Sequence, residues 1–356
     1  MKQYYRNIIF SRTPLTTRFH FKEQFQIFPC IFEKAPISKI TGIFPIVLEY
    51  WIDDSESIEV PEEFKTVKKY ISTLNRRSFK VEKIVRLLTA ITNHKFFSHS
   101  GEGIKWGIPI PDEVTDANKD EIDNQSSQPF LSIYSYPNLF KDLYITNFTE
   151  QNFADPRLID HKIYYVYDPI DSKEKEITFP HTIFNILGKY YSLDTKSKDI
   201  IDTVTHLIYN GIELFDKMKS VSFLVFVSAI ETLINYEYRN DKPQIEFECK
   251  DCQTLKNSPV KCQKCGRPIW GVNANFRNFL KTYVASSEES IKKFKRIYNL
   301  RSKIVHTGLL LLGDEHENWV KSEKQDEQWK THLETMQAAR IGLVNWLIQG
   351  PNKVPR

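Results

Sequence analysis

Between Val221 and Asn235 the chain reads VSFLVFVSAIETLIN, apolar on nearly every face of a helix and carrying a single charged side chain, Glu231. A helix without a polar stripe belongs in an interior, so this segment calls for other helices packed around it. Those neighbours are present in the pattern. Ile201, Val204, Ile208, Phe215 and Met218 mark a helix before it; Ala274 to Tyr283 and Glu288 to Thr307 mark two after it; Leu333, Met336, Leu343 and Leu347 mark a last one. The sum is an all-α bundle. A carboxylate inside it requires a cation, because an unpaired buried charge is very costly.

The segment Glu288–Thr307 supplies that cation. With the capping pattern Ser286-x-x-Glu289 at its start and Gly308 at its end, a helical wheel gathers Ile291, Phe294, Ile297, Tyr298, Leu300, Ile304 and Val305 on one apolar arc. Arg301 falls inside the arc. A guanidinium keeps its proton, so on an inward face it must meet a carboxylate, carbonyls or a bound anion such as phosphate. Glu231 is the evident partner, and on the residues alone the pair serves equally as a purely structural ion pair. His306 sits in the last turn before Thr307-Gly308, expected to be exposed there, where the helix C-terminus favours its protonated form. The spacing Arg-x(4–6)-His carries little by itself: 14 Arg and 9 His in 356 residues give about one chance match.

The earlier part of the chain has a different texture. Ile43–Trp51, Ile104–Ile110, Phe130–Tyr136 and Lys162–Tyr167 read as strands, and Glu62–Leu74 and Val81–Thr92 as helices. An acidic, polar stretch from Pro111 to Pro129 reads as a loop. The expected organisation is an α+β N-terminal domain, residues 1–193, for recognition or sensing, then an all-α helical bundle, residues 194–356. An insert at 245–271 interrupts the bundle.

That insert holds Cys249-x-x-Cys252 and Cys262-x-x-Cys265, four of the chain's five cysteines. Two C-x-x-C turns supply four thiolates, the ligand set of a tetrahedral structural zinc knuckle, closed to water and therefore not catalytic. Disulfide or redox pairing is the other reading, disfavoured in a reducing cytosol. Lys250, Lys256, Lys261, Lys264, Arg267 and Trp270 around the cysteines suit either a solvated surface or contact with nucleic acid. Cys30 stands apart and reads as a packed, inert thiol.

Net charge is only +4, too small to argue for nucleic-acid binding. From Arg277 to His306, however, eight basic residues face two acidic ones. That stretch presents either a phosphate-binding face or an ordinary solvated one. The N-terminus lacks the pattern of a signal peptide and no apolar run approaches about 18 residues, so a cytoplasmic protein without a membrane span is expected.

The run Ile297-Tyr298-Asn299-Leu300-Arg301-Ser302-Lys303-Ile304-Val305-His306-Thr307-Gly308, together with Phe226-Val227-Ser228-Ala229-Ile230-Glu231-Thr232-Leu233, resembles the HEPN domains (higher eukaryotes and prokaryotes nucleotide-binding), specifically their Apea-like branch. The resemblance covers residues 196–350. It implies a metal-independent endoribonuclease acting on tRNA or mRNA, with Arg301 and His306 as catalytic residues, Ser302 in the polar position after the arginine, and Glu231 in the site. It also implies a homodimer that completes the site, and a toxin or anti-phage defence effector with a phage-derived trigger. The alternatives are a non-catalytic HEPN-like regulatory module and a zinc-knuckle nucleic-acid-binding protein. The chemistry is self-consistent: RNA carries its own nucleophile, the 2′-OH, and needs a group of pKa near 7 and a fixed cation for the developing phosphorane charge.

The cysteine pattern yields a direct expectation. Elemental analysis of purified protein should find about one zinc per chain, lost in a Cys249→Ser, Cys265→Ser double variant; zinc-free wild type, or oxidised cysteine pairs, would exclude the knuckle.

Overall fold

A computed structural model describes residues 2–31, 44–53, 65–98, 144–165, 175–238, 244–248, 255–259, 272–311, 314 and 323–350. The chain divides into two compact units, Met1–Phe184 and Asn185–Arg356. The expected strands at Ile104–Ile110 and Phe130–Tyr136, the acidic stretch Pro111–Pro129 and all four clustered cysteines lie outside the described residues.

The first unit is built on an antiparallel sheet. Its strands are β1 (Lys2–Ser11), β2 (Phe19–Phe21), β3 (Phe25–Pro29), β4 (Phe44–Asp53), β5 (Phe96–Phe97) and β6 (Tyr144–Ile145), in the order β2-β3-β4-β1-β5 with β6 also on β1. The long central pair runs in unbroken register from Lys2 opposite Asp53 to Ser11 opposite Phe44. Tyr5, Ile9, Phe10, Ile46, Leu48 and Tyr50 are fully buried along it. One helix, α1 (Lys65–Ile91), replaces the two expected there. No Gly or Pro separates Leu74 from Val81, so nothing in the chain stops the first helix. Its buried Val81, Ile84, Val85 and Leu88 share the unit's core. Arg77 lies over the Tyr5 ring, 4.5 Å from its centroid.

Glu49, in the middle of β4, has no solvent exposure and is fully satisfied. Arg6 binds it through Nη2 at 2.6 Å and Nε at 3.0 Å, Gln26 Nε2 donates at 2.6 Å, and Thr149 donates its hydroxyl at 2.7 Å and its backbone N–H at 2.9 Å. The network fastens residues 144–150 to the sheet, and its completeness marks it as structural. Cys30 is unpaired, and burial pushes its thiol well above the usual range. The start of the expected strand Lys162–Tyr167 is instead a short helix, α2 (His161–Tyr164), because the Asp160 carboxylate caps the N–H groups of Lys162 and Ile163; residues 166 and 167 lie outside the described residues. It stands between β7 (Leu158–Ile159) and β8 (Phe179–Pro180), which pair in parallel.

The second unit is mostly helical. After α3 (Ile183–Tyr191), which begins ahead of the division, come α4 (Thr195–Leu214) and α5 (Lys219–Glu237), a hairpin of β9 (Gln244–Glu248) and β10 (Leu255–Pro259), then α6 (Val272–Tyr283), α7 (Glu288–Thr307) and α8 (Glu323–Gln349). The hairpin pairs Glu248 with Leu255, the residues that bracket Cys249 and Cys252 in the chain. Met218, expected on the same helix as Ile201, lies beyond its end and is 49% exposed. α5 packs against α4 and α8. A Cβ on Gly211 of α4 would come within 2.5 Å of the Phe226 ring, so the bare glycine permits the close approach that lets the Ser222 hydroxyl donate to the Gly211 carbonyl at 2.7 Å.

His332 of α8 fills the space beside this contact. Only 1% exposed, it stacks on Phe215 with ring centroids 4.1 Å apart, and its Nε2 lies 2.8 Å from Ser222 Oγ. Because that hydroxyl proton is directed to Gly211, Nε2–H is the donor, a role open to either protonation state, and burial favours the neutral ring. Burial lowers its pKa to about 4, with Asp314 pulling it up and Lys219 down. A histidine depressed in the fold gives stability that is whole above its unfolded pKa and lost as pH falls toward the folded one. Between 6.5 and about 4 the unfolded chain takes up the proton first, at a cost to the fold of about 3 kcal/mol. Urea unfolding at pH 7 and pH 4.5 should show this loss, and His332→Gln should show a markedly smaller difference between the two; an equal difference would exclude the buried neutral imidazole.

Candidate active site

The helix that carries the candidate residues begins one position later than its sequence pattern suggests. Ser287, not Ser286, caps α7, its Oγ accepting from the Ser290 N–H at 3.2 Å. Gly308 ends it as expected, in the left-handed conformation with φ +69°. Phe294, Ile297 and Ile304 are buried, and Arg301 completes their i, i+3, i+7, i+10 stripe. Val305, expected on the same apolar arc, is 49% exposed. The inward face therefore opens toward solvent in the last turns of α7.

Arg301 and Glu231 meet across α7 and α5. Arg301 Nη2 lies 3.3 Å from both carboxylate oxygens of Glu231, with hydrogen-bond geometry only to Oε2. The side chains keep 25% and 20% of their exposure, so the pair sits at the edge of the core rather than sealed within it. α5 itself is less uniformly covered than its composition implies: Val221 is 38% exposed, and Ser228 and Asn235 are exposed too. These positions, with Leu224, Val225 and Thr232, form one partly open stripe to which Glu231 belongs. Nε and Nη1 of Arg301 have no hydrogen-bond partner among the described residues. The guanidinium is anchored through one nitrogen, and its others are open to solvent.

His306 is exposed in the last turn of α7, and Ser302, next to Arg301, is partly buried. His306 lies five positions after Arg301, which places their side chains about 140° apart around the helix. One helix therefore does not aim both at a single phosphate. The end of α7 is nevertheless firmly held. Beyond Gly308, the Leu311 N–H donates to Ser220 Oγ at 2.8 Å, and the Asp314 carboxylate accepts from the backbone N–H groups of Lys219 at 2.8 Å and Ser220 at 2.6 Å. Met218, at the N-cap of α5, makes no capping bond, so a residue from a distant part of the chain does the capping. Burial works against the Asp314 carboxylate, but its hydrogen bonds with Ser220 and Lys219 prevail and lower its pKa.

Sequence reasoning passed over Asp314 because the helix it caps lies 95 residues away, and no local pattern reports such a partner. The residues expected to bind metal, Cys249, Cys252, Cys262 and Cys265, lie outside the described residues; among those described, no cluster of His, Cys, Asp and Glu suits a metal ion. α5 has the length and apolar content of a membrane span, yet half of that window is buried inside the bundle. No family model, curated protein or solved structure matches the chain.

The partly covered pair sets the size of its contribution. Glu231→Gln should destabilise the helical unit by about 1–3 kcal/mol, between the values for exposed and fully buried pairs. Chemical denaturation measures this, and an unchanged midpoint would mean that Arg301 does not depend on Glu231.

Proposed function

We propose that the helical unit is an endoribonuclease of the HEPN type, acting on RNA without a catalytic metal and as a homodimer. The observation that carries this reading is Arg301 itself: a guanidinium in the stripe of buried α7 residues, held by Glu231 through Nη2 alone, with an exposed histidine one turn and a half further along the same helix. The donors that Glu231 leaves open face water at this partly exposed position, and a phosphate can take them up.

In this mechanism His306 takes the proton from the ribose 2′-OH as the oxygen attacks phosphorus, and the 5′-oxygen leaves with a proton from the second histidine of the dimer. The bond to the 5′-oxygen breaks, leaving a 2′,3′-cyclic phosphate and a 5′-OH. Arg301 faces the charge that develops on the non-bridging oxygens. Ser302 follows it in the chain as a further polar contact. The divergence of Arg301 and His306 on one helix favours a site completed by a second copy related by a two-fold axis. Exposed apolar side chains supply a surface for that copy: Val305 and Leu310 at the end of α7, and Met218 and Val221 at the start of α5. The Leu311–Ser220 hydrogen bond ties these two ends together.

The zinc knuckle formed by Cys249, Cys252, Cys262 and Cys265 belongs to this reading as a structural element that holds the insert and takes no part in the reaction. The sheet-bearing first unit is the recognition module, and a cytoplasmic toxin or defence effector released by a phage-derived trigger is the setting that fits. The rival reading, a regulatory bundle in which Arg301 and Glu231 only hold helices together, draws on the same ion pair. Total RNA or tRNA incubated with wild type and with His306→Ala separates them. The expected result is cleavage by wild type, cyclic phosphate ends and a loss of about 10²-fold or more in the variant; equal activity in both, or 3′-OH ends, would overturn the nuclease reading.

A further inference from the structure

α7 and α8 line a groove of about 410 Å³ to which neither Arg301 nor Glu231 contributes. Lys292, Lys295, Arg296, Asn299, Leu300 and Lys303 line one side, and Glu327, Gln328 and Thr331 the other. Its cations are not equivalent. Arg296 pairs with Glu334 and, at 3.7 Å, with Glu327; its neighbour on the helix, Lys293, is spanned by Glu289 at 3.1 Å and Glu334 at 3.6 Å. These bonds tie α7 to α8 and leave little charge to offer. Lys292, Lys295 and Lys303 are exposed, and none forms an ion pair within 4.0 Å among the described residues, although Lys292 is near enough to Glu289 to help lower its pKa.

The positions 292, 295, 299 and 303 follow the i, i+3, i+7, i+11 spacing that keeps side chains on one helix face, and His306 comes one step of three further along it. The face thus runs from the groove to the exposed histidine over about 21 Å of helix. It carries positive charge at intervals, with the exposed Asn299 amide between; Thr331, 1% exposed, keeps its hydroxyl on the Glu327 carbonyl. A carboxylate-rich protein surface would need only the charges. A ribose-phosphate chain uses both, its phosphates on the lysines and a 2′-hydroxyl on the Asn299 amide.

We propose that this groove is the binding track for single-stranded RNA, seating the few nucleotides to one side of the scissile bond and delivering the bond to His306. The assignment rests on the nuclease reading for its direction toward His306, while the binding itself stands independently of cleavage. Because neither Arg301 nor Glu231 lines the groove, affinity and chemistry can be separated by mutation.

The test uses the full-length chain carrying His306→Ala, so that the probe stays intact, with and without Lys292→Glu, Lys295→Glu and Lys303→Glu together. All three side chains are exposed, and circular dichroism and thermal unfolding establish that the fold is kept. Fluorescence anisotropy with a labelled ten-nucleotide oligouridylate, titrated with salt, should show affinity falling about tenfold or more in the lysine variant, with the slope of log affinity against log salt shallower by about 2. Unchanged affinity and slope would overturn the track. Equal affinity of the unaltered lysine face for polyglutamate of matched charge would overturn its assignment to RNA. With His306 present, the lysine variant should raise KM and leave kcat close to wild type. RNA binding that requires the lysines, in a protein that cleaves nothing, would sustain the track and sink the nuclease; cleavage that requires His306 and is indifferent to the lysines would do the reverse.

Discussion

An arginine that must stay charged and a helix that tolerates only one charged residue in its middle impose a single solution on the helical unit: Arg301 and Glu231 face each other across α7 and α5. The pair stands at the edge of the core, with a quarter or less of each side chain exposed. That location has two effects. Enough desolvation remains to make the pairing matter for stability, and enough access remains for the rest of the guanidinium to meet an anion.

The second fixed point is the return of the chain after Gly308. A left-handed glycine stops α7, Leu311 donates to Ser220, and Asp314 caps an α5 that starts without a side-chain cap of its own. The two helices are therefore fastened at two places, at Arg301–Glu231 and at this clamp, and His306 lies between the Arg301 contact and the clamp. The buried His332, packed on Phe215 and close enough to Asp314 to feel its charge, brings a titrating group into the same corner. Acidification thus weakens the packing behind the site.

Much of this was legible in the residues. The helical periodicity from Ile201 onward, the end of α7 at Thr307 before Gly308, the sheet strand that begins near Phe44, and the partnership of Arg301 with Glu231 all follow from patterns legible in the residues. What escaped is non-local. The capping of α5 by Asp314, the satisfaction of Glu49 by Arg6, Gln26 and Thr149, and the groove between α7 and α8 depend on residues far apart in the chain. β1 also escaped, although Tyr4, Tyr5, Ile8, Ile9 and Phe10 carry ordinary strand character. Lys162–Tyr167 misled because Ile163, Tyr164 and Tyr165 favour a strand in isolation, while Asp160 caps a helix there. Composition overstated the burial of α5 for a related reason: an apolar helix need not be covered on every side, and Val221 is not.

The claim on which the account turns is that Glu231 holds Arg301 in place. A double-mutant cycle measures this directly, with Arg301→Gln, Glu231→Gln and the double variant compared by urea unfolding at neutral pH. The account predicts a coupling of about 1 kcal/mol or more between the two substitutions. Additive effects, agreeing to within about 0.3 kcal/mol, would contradict it.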